Sequence, residues 1–157
     1  MSMVRLCCAS GLLMLIGAAA SAQHMHIVRQ AKIVWQTAPD SLPKGAQFAA
    51  IAGDPAKPGP FAFRIKVPAG YVVMPHTHPA AENITVISGQ IYHGTGRFLN
   101  KAAGAAIGQG DFVYLPPAMP HSVWTTRSPA IIQVNGTGPF TISYIRSQDD
   151  PRNARRR

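Results

Sequence analysis

From Phe61 to Val67 the chain reads F-A-F-R-I-K-V, with apolar and polar positions alternating at a period of two. Phe61, Phe63, Ile65 and Val67 therefore face one way and Arg64 and Lys66 the other, the signature of a strand with one face in a core and one in water. Short runs of strand-forming residues recur at Ala31 to Trp35, Gln47 to Ile51, Tyr71 to Met74, Ile84 to Ile87, Gln90 to His93, Phe112 to Leu115, His121 to Thr125, Ile131 to Val134 and Phe140 to Ile145. Clusters of turn formers separate them, including P-D-S-L-P-K-G after Trp35 and G-D-P-A-K-P-G-P from Gly53. Ser88-Gly89 predicts a tight hairpin between its flanking strands, with glycine supplying the positive φ. The stretch from Gly94 to Gly110 is small and loose and predicts at most a helical turn near Phe98. No segment sustains a helical period. About ten short strands punctuated by turns predict an all-β sandwich or barrel.

The first 22 residues break this pattern. Arg5, an apolar run and Ala20-Ser21-Ala22 have the layout of a secretory signal with its cleavage site, and the run is too short to span a bilayer. The expected organisation is a signal peptide over 1–22, one domain over 23–150 and a basic disordered tail over 151–157, with periplasmic or secreted localisation. Stable membrane insertion after cleavage is not expected; a retained anchor is the alternative. Cys7 and Cys8 leave with the signal, so the mature chain has no disulfide, redox thiol or thiolate ligand. Arg5 is one of fifteen basic residues; fourteen remain against six acidic ones, for a mature charge of +8. Arg152, Arg155, Arg156 and Arg157 concentrate part of that excess at the end of the chain. The rest is dispersed, which argues against a nucleic-acid partner.

Candidate chemistry gathers between Gly70 and Gly89, G-Y-V-V-M-P-H-T-H-P-A-A-E-N-I-T-V-I-S-G. If the strand from Tyr71 runs on through His76 and His78, its period of two turns both imidazoles to one face. Glu82 lies four positions past His78, far enough for Pro79 to bend the chain and return a carboxylate to the same side. Imidazoles and a carboxylate suit a divalent first-row metal ion. A fourth candidate, His121, closes G-D-F-V-Y-L-P-P-A-M-P-H, and it joins the others only if the fold brings its strand beside the first. Alternation places Val123 and Thr125 on the side of His121 and Ser122 and Trp124 opposite, so Trp124 is expected to pack. The remaining titratable residues stand apart from this constellation. His24 and His26 lie at the mature terminus, and the face of His93 is undetermined. Asp40, Asp54 and Asp111 adjoin turns. Tyr71, Tyr92, Tyr114 and Tyr144 are expected to pack.

The two stretches resemble the paired motifs of the cupin superfamily. The first motif is Gly, five residues, His-x-His, three or four residues, Glu, six residues and Gly; Gly70, His76, His78, Glu82 and Gly89 meet it in full. The second is Gly, five residues, Pro-x-Gly, two residues, His, three residues and Asn; Gly110, Pro116 and His121 meet it, while Ala118 stands at the Gly and Thr125 at the Asn. The resemblance implies a double-stranded β-helix, or jelly roll, with His76, His78, Glu82 and His121 as ligands of one divalent metal ion. Fe, Mn, Ni, Cu and Zn all suit that set. In an octahedral shell two positions stay open for water, dioxygen or a chelating substrate. Two functions follow: a small metalloenzyme of oxygenase or isomerase type acting on a small oxygenated or aromatic molecule, or a non-catalytic cupin that captures or senses a metal or a chelating ligand. Self-association through an exposed sheet edge is a further implication.

Overall fold

In a computed structural model of the chain, residues 25–154 are described, and eleven strands among them form two antiparallel sheets. The strands are β1 (Gln36–Thr37), β2 (Gln47–Ala52), β3 (Gly59–Val67), β4 (Val72–Thr77), β5 (Glu82–Ser88), β6 (Gln90–Thr95), β7 (Ala105–Gly108), β8 (Phe112–Leu115), β9 (His121–Trp124), β10 (Ala130–Gly138) and β11 (Ser143–Tyr144). The first sheet runs β1-β2-β3-β10-β5-β8 and the second β11-β4-β9-β6-β7. From β3 onward the chain passes repeatedly from one sheet to the other. This is the jelly-roll arrangement, and it gives the molecule one core between two faces.

The alternation of β3 survives intact. Phe61, Phe63 and Val67 are buried and Ile65 packs beside them, against Ile84, Val86, Ile132 and Val134 of the neighbouring strands β5 and β10. Phe61 and Phe63 stack at 5.4 Å, and Phe140 closes on Phe61 at 5.1 Å. On the outer face Arg64 Nε donates to Gln133, and Lys66 Nζ lies 4.9 Å from the centre of the Trp35 ring.

Several expected elements differ. Ala31 to Trp35 is not a strand: a 3-10 turn covers Gln30–Lys32, and pairing begins only at Gln36, opposite Phe48. Val34 is exposed, so its β propensity has no pleated surface to serve. Ser88-Gly89 does not close a hairpin, because β5 and β6 lie in different sheets. Gly89, at φ +76°, is instead a corner, where an added Cβ would stand 2.3 Å from the Pro129 carbonyl oxygen. β7 arises within the stretch read as loose, pairing Ala106 with Tyr92. Only Ser143–Tyr144 of the expected last strand is paired. The segment read as a tail from residue 151 begins with a helical turn, α1 (Pro151–Ala154), where Arg152 is bound to Asp150. The predicted signal and cleavage site, with Cys7, Cys8 and His24, and Arg155 to Arg157 lie outside the described residues.

Candidate metal centre

Strand register assembles the centre. β4 pairs with β9 so that His76 stands directly opposite His121, and their ring centres are 4.1 Å apart. β4 ends at Thr77 and His78 follows immediately, its ring 5.0 Å from His76 and 5.3 Å from His121. The chain then crosses to the other sheet, and Glu82, the first residue of β5, faces back toward the histidines. Its Oε2 lies 3.4 Å from His78 Nε2 and 3.2 Å from His121 Nε2. All four side chains named from the sequence therefore meet between the sheets, and all four are buried.

Each histidine is oriented through its other nitrogen. Nδ1 of His76 faces Met74 O at 2.7 Å, Nδ1 of His78 faces Thr141 O at 2.7 Å, and Nδ1 of His121 faces Met119 O at 3.0 Å. A carbonyl oxygen only accepts, so Nδ1 carries the hydrogen in each ring and Nε2 is left to point inward. Burial, with His121 and His78 adding to it, holds His76 well below the ordinary histidine range; burial likewise lowers His78. His78 Nε2 thus presents a lone pair to a carboxylate oxygen. Nε2 of His78, Nε2 of His121 and Oε2 of Glu82 are all buried without a hydrogen-bond partner. Orphaned polar atoms are costly in a protein interior.

A cation among them would remove that cost. Ligand atoms about 2.1 Å from a shared ion, at angles between octahedral and tetrahedral, lie about 3.0 to 3.4 Å apart, matching the contacts of Glu82. Nitrogens of His76, His78 and His121 lie within 4.8 Å of one another, and the three can hold a metal ion. Carbonyl-anchored imidazoles are also the usual outer support of a metal site.

The two departures from the second motif are absorbed by the backbone. Ala118 adopts φ +60°, the conformation for which glycine is preferred, and its N–H donates to His78 O at 2.8 Å. Thr125 Oγ1 accepts from Tyr71 N at 3.0 Å and donates to Pro68 O at 2.7 Å. The hydroxyl therefore ties the end of β9 to the β3–β4 turn.

His93 completes the surroundings. It sits on β6 opposite Val123, with its ring stacked 5.3 Å from His121 and its Nε2 buried and unpartnered. Burial, then the neighbouring His121, pushes its pKa down to about 4. The signal for its face was Ile91: two positions earlier on one strand, and fully buried. His26 is exposed and takes no part. Trp124 packs on the far side of its sheet, stacked on Tyr92 at 5.9 Å and filling the space beside Gly94 and Gly104. The Tyr71 and Tyr144 hydroxyls donate to Pro43 O and Ser41 O, and burial raises both pKa values above the usual phenol range. Asp54 and Asp111 accept backbone N–H groups within their own turns.

A cavity of about 310 Å³ opens onto His76, His78, Glu82 and His121. The same fold recurs in solved structures. The polyketide cyclase RemF from Streptomyces resistomycificus superposes with a TM-score of 0.68 at 16% identity, over 85% of this chain and 94% of its own. A candidate acetylacetone dioxygenase from Methylibium petroleiphilum PM1 gives 0.63 at 16% identity, over 85% and 90%. KdgF from a Halomonas species gives 0.55 at 18%, over 73% and 96%. At these identities the likeness is one of fold. No curated protein matches the sequence significantly. The family described as the ChrR cupin-like domain matches residues 23–141, a span that contains both motifs and every residue of the centre. On that match, and on a fold of two sheets that brings His76, His78 and His121 together, the chain belongs to the ChrR cupin-like family of the cupin superfamily.

Proposed function

We propose that this protein is an exported cupin that binds one divalent metal ion through His76, His78, Glu82 and His121 and acts as a small metalloenzyme of oxygenase or isomerase type. Its substrate is a small oxygenated or aromatic molecule. The observation that carries this reading is the convergence of buried, unpartnered Nε2 and Oε2 atoms at the head of a cavity. Neighbours of the same fold include a polyketide cyclase and a candidate acetylacetone dioxygenase, which supports enzymatic use of the fold. When bound, a divalent ion would supply Lewis acidity and a lowered pKa for a coordinated oxygen. The chain's own part is to hold three imidazoles by their Nδ1 hydrogens and to keep Glu82 buried beside them. Candidate ions are Fe, Mn, Zn, Ni and Cu.

The second reading, a non-catalytic cupin that captures or senses a metal or chelating ligand, is favoured by one observation. Apart from the four site residues, the titratable side chains lining the cavity among the described residues are Tyr71, whose hydroxyl is committed to a carbonyl, and Arg152, which is paired. Elemental analysis of protein isolated from its own compartment, followed by oxygen uptake and product formation against diketones, catechols and sugar acids, separates the readings. Near-stoichiometric metal with turnover supports the enzyme, metal without turnover across every ion supports the binder, and no metal after anaerobic reconstitution sinks both. Export to the periplasm or beyond rests on the Ala20-Ser21-Ala22 pattern; mass spectrometry of exported protein beginning at Gln23 would support it. A homodimer is favoured by the free edge of β8, where Phe112 and Tyr114 are exposed.

A further inference from the structure

The walls of the cavity are of one kind. Phe63, Ile65 and Ile132 line it from the first sheet, Val73 and Val123 from the second, and Phe140 stacks on His78 with ring centres 4.2 Å apart. Ile65 and Val123 pack against the core yet stay only half-buried, because each also borders the cavity. The exposed lining residues Pro39, Ala56, Thr141 and Arg152 mark the mouth.

Polar recognition is scarce along this path. Thr125 and Tyr71 direct their hydroxyls to carbonyls of their own chain. Among the described residues Arg152 is the one cationic side chain on the lining, and Asp150 occupies its guanidinium, with Nη2 to Oδ2 at 2.6 Å and Nε to Oδ1 at 2.8 Å. A carboxylated or polyhydroxylated body would lose its water here without gaining partners. An apolar body would lose nothing and bury its surface. An apolar cavity of about 150 Å³ takes one benzene ring, so 310 Å³ leaves room for a body of one to two rings.

Resting on the metal-site reading above, we infer that the ligand is an uncharged, largely apolar molecule of one to two rings. It presents a single oxygen-bearing end to His76, His78, Glu82 and His121 and lodges its body against Phe63, Ile65, Val123 and Ile132. Sugar acids and other multiply charged oxygenated molecules are rejected by the walls rather than by the site.

Matched ligands test this. Zn(II)-loaded protein is titrated calorimetrically with acetylacetone, with benzoylacetone and with the para-carboxylate of benzoylacetone, which share one chelating end. Benzoylacetone should bind at least tenfold more tightly than its carboxylate twin and more tightly than acetylacetone. Equal affinities for the twins, or preference for the charged one, overturn the inference. Ile65→Phe, with Val123→Phe as a second variant should the first fail to fold, should keep metal content and acetylacetone binding while losing benzoylacetone tenfold or more. Unchanged benzoylacetone affinity in a folded, metal-loaded variant also overturns it. Elemental analysis judges the metal reading separately. Should the protein take up no metal, that reading fails alone, and binding of the neutral fluorophore phenylnaphthylamine to metal-free protein judges the cavity: saturable binding abolished by Ile65→Phe supports the apolar site, and absence of binding refutes it.

Discussion

At the scale of single residues, the centre distinguishes histidines that the sequence alone ranks only in part. His76→Ala or His121→Ala should lower metal affinity by more than the roughly 10–100-fold that loss of an outer partner costs, whereas His26→Ala, at an exposed position, should leave it unchanged. Competition with a chromophoric chelator reads both, and equal losses would mean that the site lies elsewhere. His93 carries a pH signature. Its folded pKa, about 4, lies below the unfolded value near 6.5, so the neutral ring contributes stability that is present above about pH 6.5 and is lost as pH falls toward 4. In metal-free protein the loss is on the order of 3 kcal/mol at most. Thermal unfolding across that window should show it, and His93→Gln should flatten that part of the profile. The motif spacing named His76, His78, Glu82 and His121. It could not name His93, whose importance comes from the β6–β9 register and its stacking on His121.

Elements show where local pattern prevails and where it is overridden. β3 was legible because its alternation matches a surface that is half core, half solvent. β7 was not: Ala105, Ala106 and Gly108 carry little β propensity, and the strand forms because β6 offers an edge. The small residues also suit Trp124, since a Cβ on Gly104 would lie 2.2 Å from its ring. Ser88-Gly89 announces a reversal, and only the sheets decide whether it is a hairpin or a corner. Gly89→Ala should cost more than about 2 kcal/mol, combining left-handed strain with a backbone clash, and chemical denaturation measures it. Thr125→Val, of the same shape, removes the acceptor for Tyr71 N and the donor to Pro68 O and should cost about 1–3 kcal/mol. A change below a few tenths would show that the staple between β9 and the β3–β4 turn is idle.

For the whole molecule, the buried and unpartnered atoms of the centre predict that folding and metal binding are coupled. At free metal 100-fold above its dissociation constant the native state should gain about 2.7 kcal/mol. The unfolding midpoint should then rise by several degrees and fall back on chelation, while the Glu82→Ala variant should respond weakly. An unmoved midpoint in protein shown to hold stoichiometric metal would contradict that coupling. The amino-acid sequence by itself determined the β class, the turn positions and the four candidate side chains. Those depend on short-range regularities: a period of two, residues that tolerate or forbid particular φ values, and donors at fixed spacing. The tertiary structure alone decided that Gly89 is a corner and not a hairpin, that His93 leans on His121, and that an apolar cavity rather than a polar one opens onto the centre. Each of these is a relation between residues far apart in the chain, and no local pattern encodes which strands of two facing sheets become neighbours.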